Sequence, residues 1–433
     1  MRFLLFKRTL FVPFCLLLIA TESFAQTIYT YEQHIAPILQ THCNSCHYQK
    51  GIGPFVLDNY EDVIKRSKFI VEVTQSGYMP PWRANTDFQH YKNENVLNKE
   101  ELQIIKDWVQ NGQKRGRKRA QDKFVDPHRA TLLKGKDTIS SNPLLISMRQ
   151  TFSMPEMGKE EFRFFHIPFQ NATEKYIQSL GFKPGNKKLV HHARVMCDTS
   201  GTTAGINGMS EADTNIYQFQ TAPLSDPFLF GWVPGNDEIR FPEGTGKKLF
   251  KHTDFILNMH YAPTPIEATD SSSIVIEWST KPIEREVITL TLTENNISNQ
   301  PFYIKANTQP KFFMRSEIVE EDLSFISVMP HMHFLGKNFK AFAVTPEGDL
   351  IPLVDIPKWD FNWQMTYTFQ KYLKIPKGSV IYAEAQYDNT LDNPLNPYNP
   401  LRDVGYGWGT KDEMMNMVIY YVKYKEGDEN KKL

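Results

Sequence analysis

The stretch Val380–Tyr387, with the sequence Val-Ile-Tyr-Ala-Glu-Ala-Gln-Tyr, indicates the fold class of most of the chain. It is rich in β-branched and aromatic residues, and it alternates with the period of two that a β-strand imposes. Similar runs follow one another from about residue 130 onward, at Ile274–Trp278, Val287–Leu292, Phe325–Met329 and Val418–Tyr424. Pro, Gly, Asn and Asp residues separate them. The pattern predicts antiparallel, all-β sandwich domains of the jelly-roll kind.

Length and composition set the outer limits on function. The chain has 433 residues, enough for about three domains with sizeable cores. With 49 Lys and Arg against 49 Asp and Glu, it lacks the basic excess of nucleic-acid-binding proteins, so we expect no nucleic-acid partner. A mean hydropathy of −0.44 excludes a polytopic membrane protein.

The first 25 residues have the pattern of a signal peptide. Arg2, Lys7 and Arg8 precede the apolar stretch Thr9–Ala20, which is shorter than the roughly 20 residues of a membrane span. Small residues in Ser23-Phe24-Ala25 then predict cleavage before Gln26. We therefore expect an exported protein, located in a bacterial periplasm and without a membrane span after cleavage. An uncleaved anchor is the alternative.

Cys43-Asn44-Ser45-Cys46-His47 is a C-x-x-C-H motif. Two thiols at this spacing can attach a haem through its vinyl groups, and the adjacent histidine can bind the iron. A zinc ribbon would need a second pair of cysteines, which the sequence lacks. A redox-active disulfide is the remaining alternative. The motif in an exported chain predicts a covalently bound haem c with His47 as an axial ligand.

The second axial ligand is predicted to be Met79, on the proline-rich loop that ends in Pro80-Pro81-Trp82. Met and His together raise the reduction potential of haem iron, which suits an electron carrier. His34 and His42 are the rival ligands. Amphipathic helices predicted at Tyr31–Gln40, and after a capping box that starts at Asn98, complete a small all-α, cytochrome c-like domain over residues 27–113.

The boundaries beyond this domain follow from composition. Residues 114–130 begin with a basic run and are predicted to be a solvated linker, with docking of an acidic redox partner as the alternative. Two β-domains are predicted at 131–283 and 284–425, followed by a charged tail at 426–433. Cys197 has no evident disulfide partner, so the mature chain is predicted to be free of disulfides.

Three groups of histidines lie on the predicted strands. His331 and His333 lie two residues apart, so they can face the same side of a strand and bind one metal ion. His191 and His192 are adjacent and would diverge in a regular strand, so they could share a metal only at a bulge or strand end. His260 forms the third group. Imidazole ligands suit copper or zinc, and a thioether partner such as Met414 selects copper, although a Met-rich strand is ordinarily core.

The order of these signals resembles that of a known family. His-His, His-Tyr, His-x-His and Glu-Met follow one another as in the copper type II, ascorbate-dependent monooxygenases, which include peptidylglycine α-hydroxylating monooxygenase and dopamine β-monooxygenase. The resemblance covers roughly residues 150–425. Further matching stretches are Pro184-Gly185-Asn186, Gly231-Trp232-Val233-Pro234-Gly235, Phe241-Pro242-Glu243-Gly244-Thr245-Gly246, Asn362-Trp363-Gln364, Tyr387-Asp388-Asn389, Asn393-Pro394 and Asn396-Pro397.

The resemblance implies two coppers, one in each β-domain. The electron-transfer copper would be bound by His191, His192 and His260. The copper at which dioxygen reacts would be bound by His331, His333 and Met414, which are therefore the predicted catalytic residues. The activity implied is hydroxylation of a substrate C–H bond with dioxygen, and the fused haem would deliver the electrons in place of, or together with, a small reductant or a redox partner protein.

Some positions depart from the family pattern. Members that amidate peptides carry Arg and Tyr at the positions of Met329 and Val418, where these side chains hold a peptide carboxylate. Asn416 does match a third contact to that carboxylate. A peptide ending in glycine is therefore not the expected substrate, and a neutral or apolar small molecule is. The remaining histidines, His90, His128, His166 and His252, are predicted to be bystanders.

A second class of function stays open from the sequence. The chain could be a non-catalytic protein that binds copper and haem for electron transfer, storage or sensing. The presence of all six candidate copper ligands favours the enzyme.

Overall fold

A computed structural model describes residues 28–49, 51–117, 143–216, 226–234, 238–407, 409 and 411–433. The predicted signal peptide, residues 118–130 of the predicted linker and His128 lie outside this range. Within it, no helix is long and apolar enough to cross a membrane. None of the described cysteines, which are Cys43, Cys46 and Cys197, is part of a disulfide.

Helices occupy the N-terminal part of the described chain. A π-helical turn at Tyr31–Ile35 leads into α1 (Ala36–His42), and the others are α2 (Tyr60–Ile64), α3 (Ser67–Gln75) and α4 (Lys99–Gln110). The predicted capping box is present, because Asn98 and Glu101 each accept the backbone N–H of the other at 2.9 Å. A small core that includes Ile35, Leu39, Ile105 and Trp108 holds the helices together.

Strands make up most of the remaining described chain. Their bounds, in chain order, are β1 (Leu144–Ser147), β2 (Phe152–Met154), β3 (Glu161–Pro168), β4 (Lys175–Lys183), β5 (Val190–Asp198), β6 (Asp226–Trp232), β7 (Glu238–Arg240), β8 (Thr245–Leu249), β9 (Asp254–Tyr261), β10 (Ala268–Asp270), β11 (Ser273–Trp278), β12 (Arg285–Leu292), β13 (Tyr303–Ile304), β14 (Lys311–Arg315), β15 (Leu323–His331), β16 (Gly336–Val344), β17 (Leu350–Ile356), β18 (Tyr367–Ile375), β19 (Val380–Tyr387), β20 (Val404–Gly405) and β21 (Asn416–Lys423). The five strand runs singled out in the sequence all fall on these strands, except that Tyr424 lies one residue beyond the end of β21.

The strands form two sandwiches, as the alternating pattern predicts. In the first, the sheet β3-β9-β5-β6 faces β1-β11-β4-β8, and side chains such as Val195 and Leu257 from one sheet share a core with Ile177 and Ile274 from the other. In the second, β14-β19-β16-β17 faces β12-β21-β15-β18 around a separate core. Strand β12 pairs with β8 in parallel and with β21 antiparallel, so one sheet continues through both sandwiches.

Two segments outside the strands pack against the second sandwich. Trp82 and Tyr91, which lie between α3 and α4, are buried in its core, and Tyr91 forms an isolated β-bridge with Phe369. At the C-terminus, Asp428 is fully buried, and its carboxylate accepts hydrogen bonds from Arg285 and Ser324. The N-terminal helical segment is thus attached to the second sandwich by chain that precedes α4.

Candidate metal centres

The first centre consists of His191 and His192 on β5 and His260 on the neighbouring strand β9. The pairing of β5 with β9 shifts register between Val190 and His192, which makes His191 the extra residue of a bulge. His192 lies directly opposite His260. The bulge turns two consecutive side chains to one side, the arrangement that adjacent histidines need to share a metal. One ring nitrogen from each of the three lies within 4.8 Å of the others.

The nitrogens that converge in the first centre are the Nδ1 atoms. His192 Nδ1 lies 3.3 Å from His191 Nδ1 and 3.1 Å from His260 Nδ1. Two of the outward-facing Nε2 atoms contact oxygen acceptors, with His191 Nε2 at 2.9 Å from Asn362 Oδ1 and His260 Nε2 at 2.7 Å from Glu160 Oε1. An acceptor at Nε2 keeps the proton there and leaves the Nδ1 lone pair for a metal.

The second centre lies at the end of β15. His331 Nε2 and His333 Nε2 are 3.2 Å apart, so here the Nε2 atoms converge. The opposite nitrogens again contact acceptors, because His331 Nδ1 is hydrogen-bonded to Gln364 Oε1 and His333 Nδ1 lies 2.9 Å from the carbonyl oxygen of Asp412. The tautomers are therefore reversed relative to the first centre.

Met414 is placed beside the second centre by strand pairing. Asn416, at the start of β21, lies opposite His331, and its Nδ2 is 3.6 Å from Met414 Sδ. The Glu413 carboxylate accepts the backbone N–H groups of His333 at 2.9 Å and of Met414 at 3.2 Å. This one buried side chain therefore holds together the two backbone segments that carry His333 and Met414.

One loop of the second sandwich contacts both centres. Within Trp359–Gln364, Asn362 contacts His191 and Gln364 contacts His331. Between them, the Phe361 ring lies 5.8 Å from the ring of His192 and 6.0 Å from that of His333, measured between centroids. We call residues 359–364 the bridging loop. It joins the two centres with one aromatic ring and two amide side chains.

Burial favours the uncharged form of four imidazoles in the two centres, those of His191, His192, His331 and His333. Burial, with the neighbouring His260, lowers the pKa of His191 to about 4, and burial lowers that of His333 to about 4. Burial also holds the pKa values of His192 and His331 well below the usual value, and the positive charge of Arg194 contributes to both shifts. Neutral imidazole is the form that binds a metal ion.

The second sandwich is similar to a known protein family. Residues 287–431 match the copper type II ascorbate-dependent monooxygenase family, in its C-terminal domain. This segment contains the second centre complete, with His331, His333 and Met414. The match supports copper binding and monooxygenase chemistry with dioxygen and a small substrate for the second sandwich. Comparison with curated proteins gives no match.

Solved structures show only weak likeness. The chain is similar to the major capsid protein P2 of bacteriophage PM2, with a TM-score of 0.25, 7% identity, and coverage of 66% of this chain and 100% of that one. It is also similar to PNGase F, a glycosylasparaginase from Flavobacterium meningosepticum, with a TM-score of 0.26, 10% identity, and coverage of 65% and 96%. Likeness at this level supports no conclusion about activity.

The C-x-x-C-H motif follows α1 directly. His47 is buried, and its Nδ1 lies 3.0 Å from the carbonyl oxygen of Phe55, so the proton is held at Nδ1 and the Nε2 lone pair is available. Nε2 has no hydrogen-bond partner among the described residues. The backbone at Gly53 packs against the ring of His47. A Cβ at this position would lie 2.6 Å from His47 Nδ1, so a larger residue would displace the ring. Burial, with the adjacent Cys46, raises the pKa of the Cys43 thiol to about 12.

The candidates for the second haem ligand differ in how their side chains are engaged. Both ring nitrogens of His42 contact acceptors, Nδ1 at 2.7 Å from Asn95 Oδ1 and Nε2 at 3.3 Å from Glu101 Oε1. His34 Nδ1 accepts the backbone N–H of Thr30 at 3.0 Å, which leaves the proton on its Nε2. Met79 is half-buried, and its backbone N–H donates to Val73 at 3.0 Å. Met79 stays a prediction.

The other histidines lie away from the two centres or are engaged elsewhere. His166 Nε2 contacts Asp254 Oδ2 at 3.0 Å in a buried pair, while His90 and His252 are exposed. Sequence reasoning missed the residues that orient the ligands, namely Glu160, Asn362, Gln364 and Glu413. Asn362 and Gln364 lie in a stretch that the family resemblance includes, but nothing in their spacing indicates which histidine each would contact.

Proposed function

We propose that this chain is an exported copper monooxygenase that hydroxylates a C–H bond of a small organic molecule with dioxygen and receives electrons through a haem on its N-terminal helical segment. The observation that carries the proposal is the pair of centres joined by the bridging loop. Three imidazoles form one centre, and two imidazoles with a neighbouring thioether form the other. The family match over the second sandwich supports the choice of reaction.

The residues present fit copper. In His191, His260 and His333 the outward-facing nitrogen contacts an acceptor, so the inward-facing nitrogen carries a lone pair. Burial lowers the pKa of His191 and His333 and so favours their neutral form. When bound, copper would supply one-electron redox chemistry and activation of dioxygen. His191, His192 and His260 would hold the electron-transfer copper, and His331, His333 and Met414 the copper where oxygen reacts. Met414 is 2% exposed, so its sulfur is shielded from water, as suits a ligand for Cu(I).

The helical segment fits a haem c in its donor set. Cys43 and Cys46 are in no disulfide, and His47 presents Nε2 on a ring that the Phe55 carbonyl orients. When attached, the haem would supply single electrons to the copper centres. The engagement of both nitrogens of His42 supports Met79 as the second axial ligand. Attachment of haem c and the signal sequence agree with export to a periplasm, which we include in the proposal.

The two methionines provide the experiment that tests the division of labour. In stopped-flow experiments under turnover, with the haem band and oxygen consumption followed in parallel, Met414→Ile should accumulate reduced haem that cannot discharge. Met79→Ala should leave copper oxidised, while a small reductant such as ascorbate still restores turnover. The matched control is Met417→Ile. Met417 is 0% exposed and lies in the core on β21, the strand that follows Met414.

Three outcomes would contradict parts of the proposal. If Met414→Ile and Met79→Ala behave alike, the haem is not the electron entry point. If no haem remains on the denatured chain from a host that matures c-type cytochromes, Cys43 and Cys46 are misassigned. Full copper and haem content with no oxygen uptake under any reductant would favour a non-catalytic electron-transfer, storage or sensing protein.

A further inference from the structure

Arg83 joins the N-terminal segment to the bridging loop. Its Nη2 lies 2.8 Å from Asp360 Oδ2, and the two side chains are only 10% and 17% exposed. The other carboxylate oxygen of Asp360 accepts the backbone N–H of Asn362 at 3.0 Å and its Nδ2 at 3.1 Å. Asn362 Oδ1 in turn lies 2.9 Å from His191 Nε2. Four side chains therefore form a continuous chain of hydrogen bonds that ends on a ring of the first centre.

The direction of each hydrogen bond in this chain is determined. Because the Asn362 NH2 group donates to Asp360, the amide oxygen is the atom that faces His191. An amide oxygen can only accept, so His191 carries its proton on Nε2 and its lone pair on Nδ1. That Nδ1 is the atom 3.3 Å from His192 Nδ1. The orientation of a carboxamide in the bridging loop thus determines which nitrogen of His191 faces the centre.

Arg83 places a positive charge beside Asp360 that the bridging loop itself does not provide. Arg83 and Asp360 form a partly buried ion pair, and removing one member of such a pair leaves the charge of the other uncompensated. Arg83 is supplied from outside both sandwiches, by the segment that contains the buried Trp82 and Tyr91. The orientation of Asn362 therefore depends on whether this segment is docked.

We propose that Arg83, through Asp360 and Asn362, is a positioning residue that fixes the tautomer and orientation of His191, so that docking of the N-terminal segment sets the properties of the first copper centre. The inference rests on the part of the proposed function that assigns copper to His191, His192 and His260. It depends neither on the oxygen reaction nor on the haem.

A matched control exists in the same segment. Asn85 Nδ2 donates to Asp355 Oδ2 at 3.0 Å, so it too makes a hydrogen bond between the segment and the second sandwich. That bond does not continue to a histidine. Asn85→Ala should therefore remove one contact between the segment and the second sandwich while leaving the chain to His191 intact, which separates the loss of any such contact from the loss of positioning by Arg83.

The test uses the full-length protein in two forms. In the metal-free protein with 15N-labelled histidine, the His191 Nε2–H resonance and its exchange with water report the tautomer directly. In the His331→Ala background, loaded with Cu(II), the electron paramagnetic resonance spectrum and the copper affinity report the first centre alone. Variants Asn362→Leu, Arg83→Gln and Asn85→Ala are compared in both forms.

Asn362→Leu should abolish the protected Nε2–H signal and weaken copper binding roughly 10- to 100-fold, as expected when the outer partner of a ligating histidine is removed. Arg83→Gln should move the same signals in the same direction by a smaller amount, and Asn85→Ala should leave them unchanged. Should Arg83→Gln fail to fold, Arg83→Met, which also removes the charge, serves in its place, and Arg83→Lys, which keeps the charge, should stay closer to the wild type than either.

The inference is overturned if Arg83→Gln and Asn85→Ala leave the His191 signal equally unchanged, or if both change it equally. It is also overturned if the signal survives Asn362→Leu. The metal-free measurement keeps this result separate from the proposed function, because it reads the His191 tautomer whether or not the wild-type protein binds copper.

Discussion

The two histidine centres are built with opposite geometry. The first brings together residues of two paired strands, uses a bulge to turn consecutive histidines to one side, and presents Nδ1 atoms. The second has two histidines at the end of a single strand and presents Nε2 atoms, and Met414 lies two residues before the paired strand β21.

In each centre, the nitrogen that faces inward is the one opposite the nitrogen that contacts an oxygen acceptor. In the first centre Asn362 and Glu160 contact the Nε2 atoms, whereas in the second Gln364 and the Asp412 carbonyl contact the Nδ1 atoms. The spacing of the histidines therefore determines which rings come together, and the residues around them determine which nitrogen each ring presents. We expect a change of ligand or acceptor at one centre to leave the other centre unaffected.

The largest expected effect comes from removing one imidazole of the second centre. His331→Ala should lose one of two coppers and reduce reductant-driven oxygen uptake to the background rate, because it removes one of only three candidate ligands. Metal analysis and an oxygen electrode measure both effects. His90→Ala is the control, since the His90 side chain is 64% exposed and is not a predicted metal ligand. Retention of both coppers in His331→Ala would contradict the assignment.

Changing the acceptors should give a smaller effect that is confined to one centre. Glu160→Leu should weaken copper binding at the first centre, and Gln364→Leu at the second, each by roughly 10- to 100-fold. Competition titration with a chelator of known copper affinity gives the two constants. Glu160→Gln, which keeps an acceptor oxygen, should recover most of the loss. An equal loss at both centres from either leucine variant would show that the centres are not independent.

Acidification should destabilise the metal-free protein over a definite range. The folded-state pKa values of His191 and His333 are about 4, against a usual 6.5, so the unfolded chain binds more protons between these values. The free energy of unfolding of the apo protein should therefore fall as pH decreases from about 6.5 to 4. Denaturant titrations at several pH values measure it. Copper loading should shift the loss to lower pH, and identical profiles with and without copper would contradict metal binding by these rings.

Replacing the buried Asp428 carboxylate should have the smallest effect on the two centres. Burial alone would raise the pKa of Asp428, but hydrogen bonds from Arg285 and Ser324 lower it to about 2. Ionised Asp428 thus stabilises the fold above its unfolded pKa, and the contribution is lost as pH falls from about 4 to 2. Asp428→Asn should lower the free energy of unfolding at pH 7 by roughly 2 kcal/mol and leave both copper affinities unchanged. A change at either centre would indicate long-range coupling.

The β-sandwich architecture and the grouping of the histidines could be predicted from the sequence because both depend on local pattern. Alternation in Val380–Tyr387 reflects a strand with one buried face, and the His-x-His spacing reflects the same period. The bulge at His191 was foreseen only as a condition, since register depends on pairing with β9. Asn362 could not be assigned, because it comes from a loop of the other sandwich. Glu160 could not be assigned either, because its contact with His260 depends on the register of β3 against β9. The contact between Arg83 and Asp360 is harder still to predict from local sequence, because the two residues lie 277 positions apart.

X-ray absorption at the copper edge, on reduced and metal-loaded protein, tests the central claim of two different copper centres most directly. We predict two coppers per chain and one sulfur ligand for every two coppers, with the sulfur lost in Met414→Ile and retained in Met417→Ile. A single copper per chain, absence of sulfur from the copper shell, or sulfur that persists in Met414→Ile would contradict it.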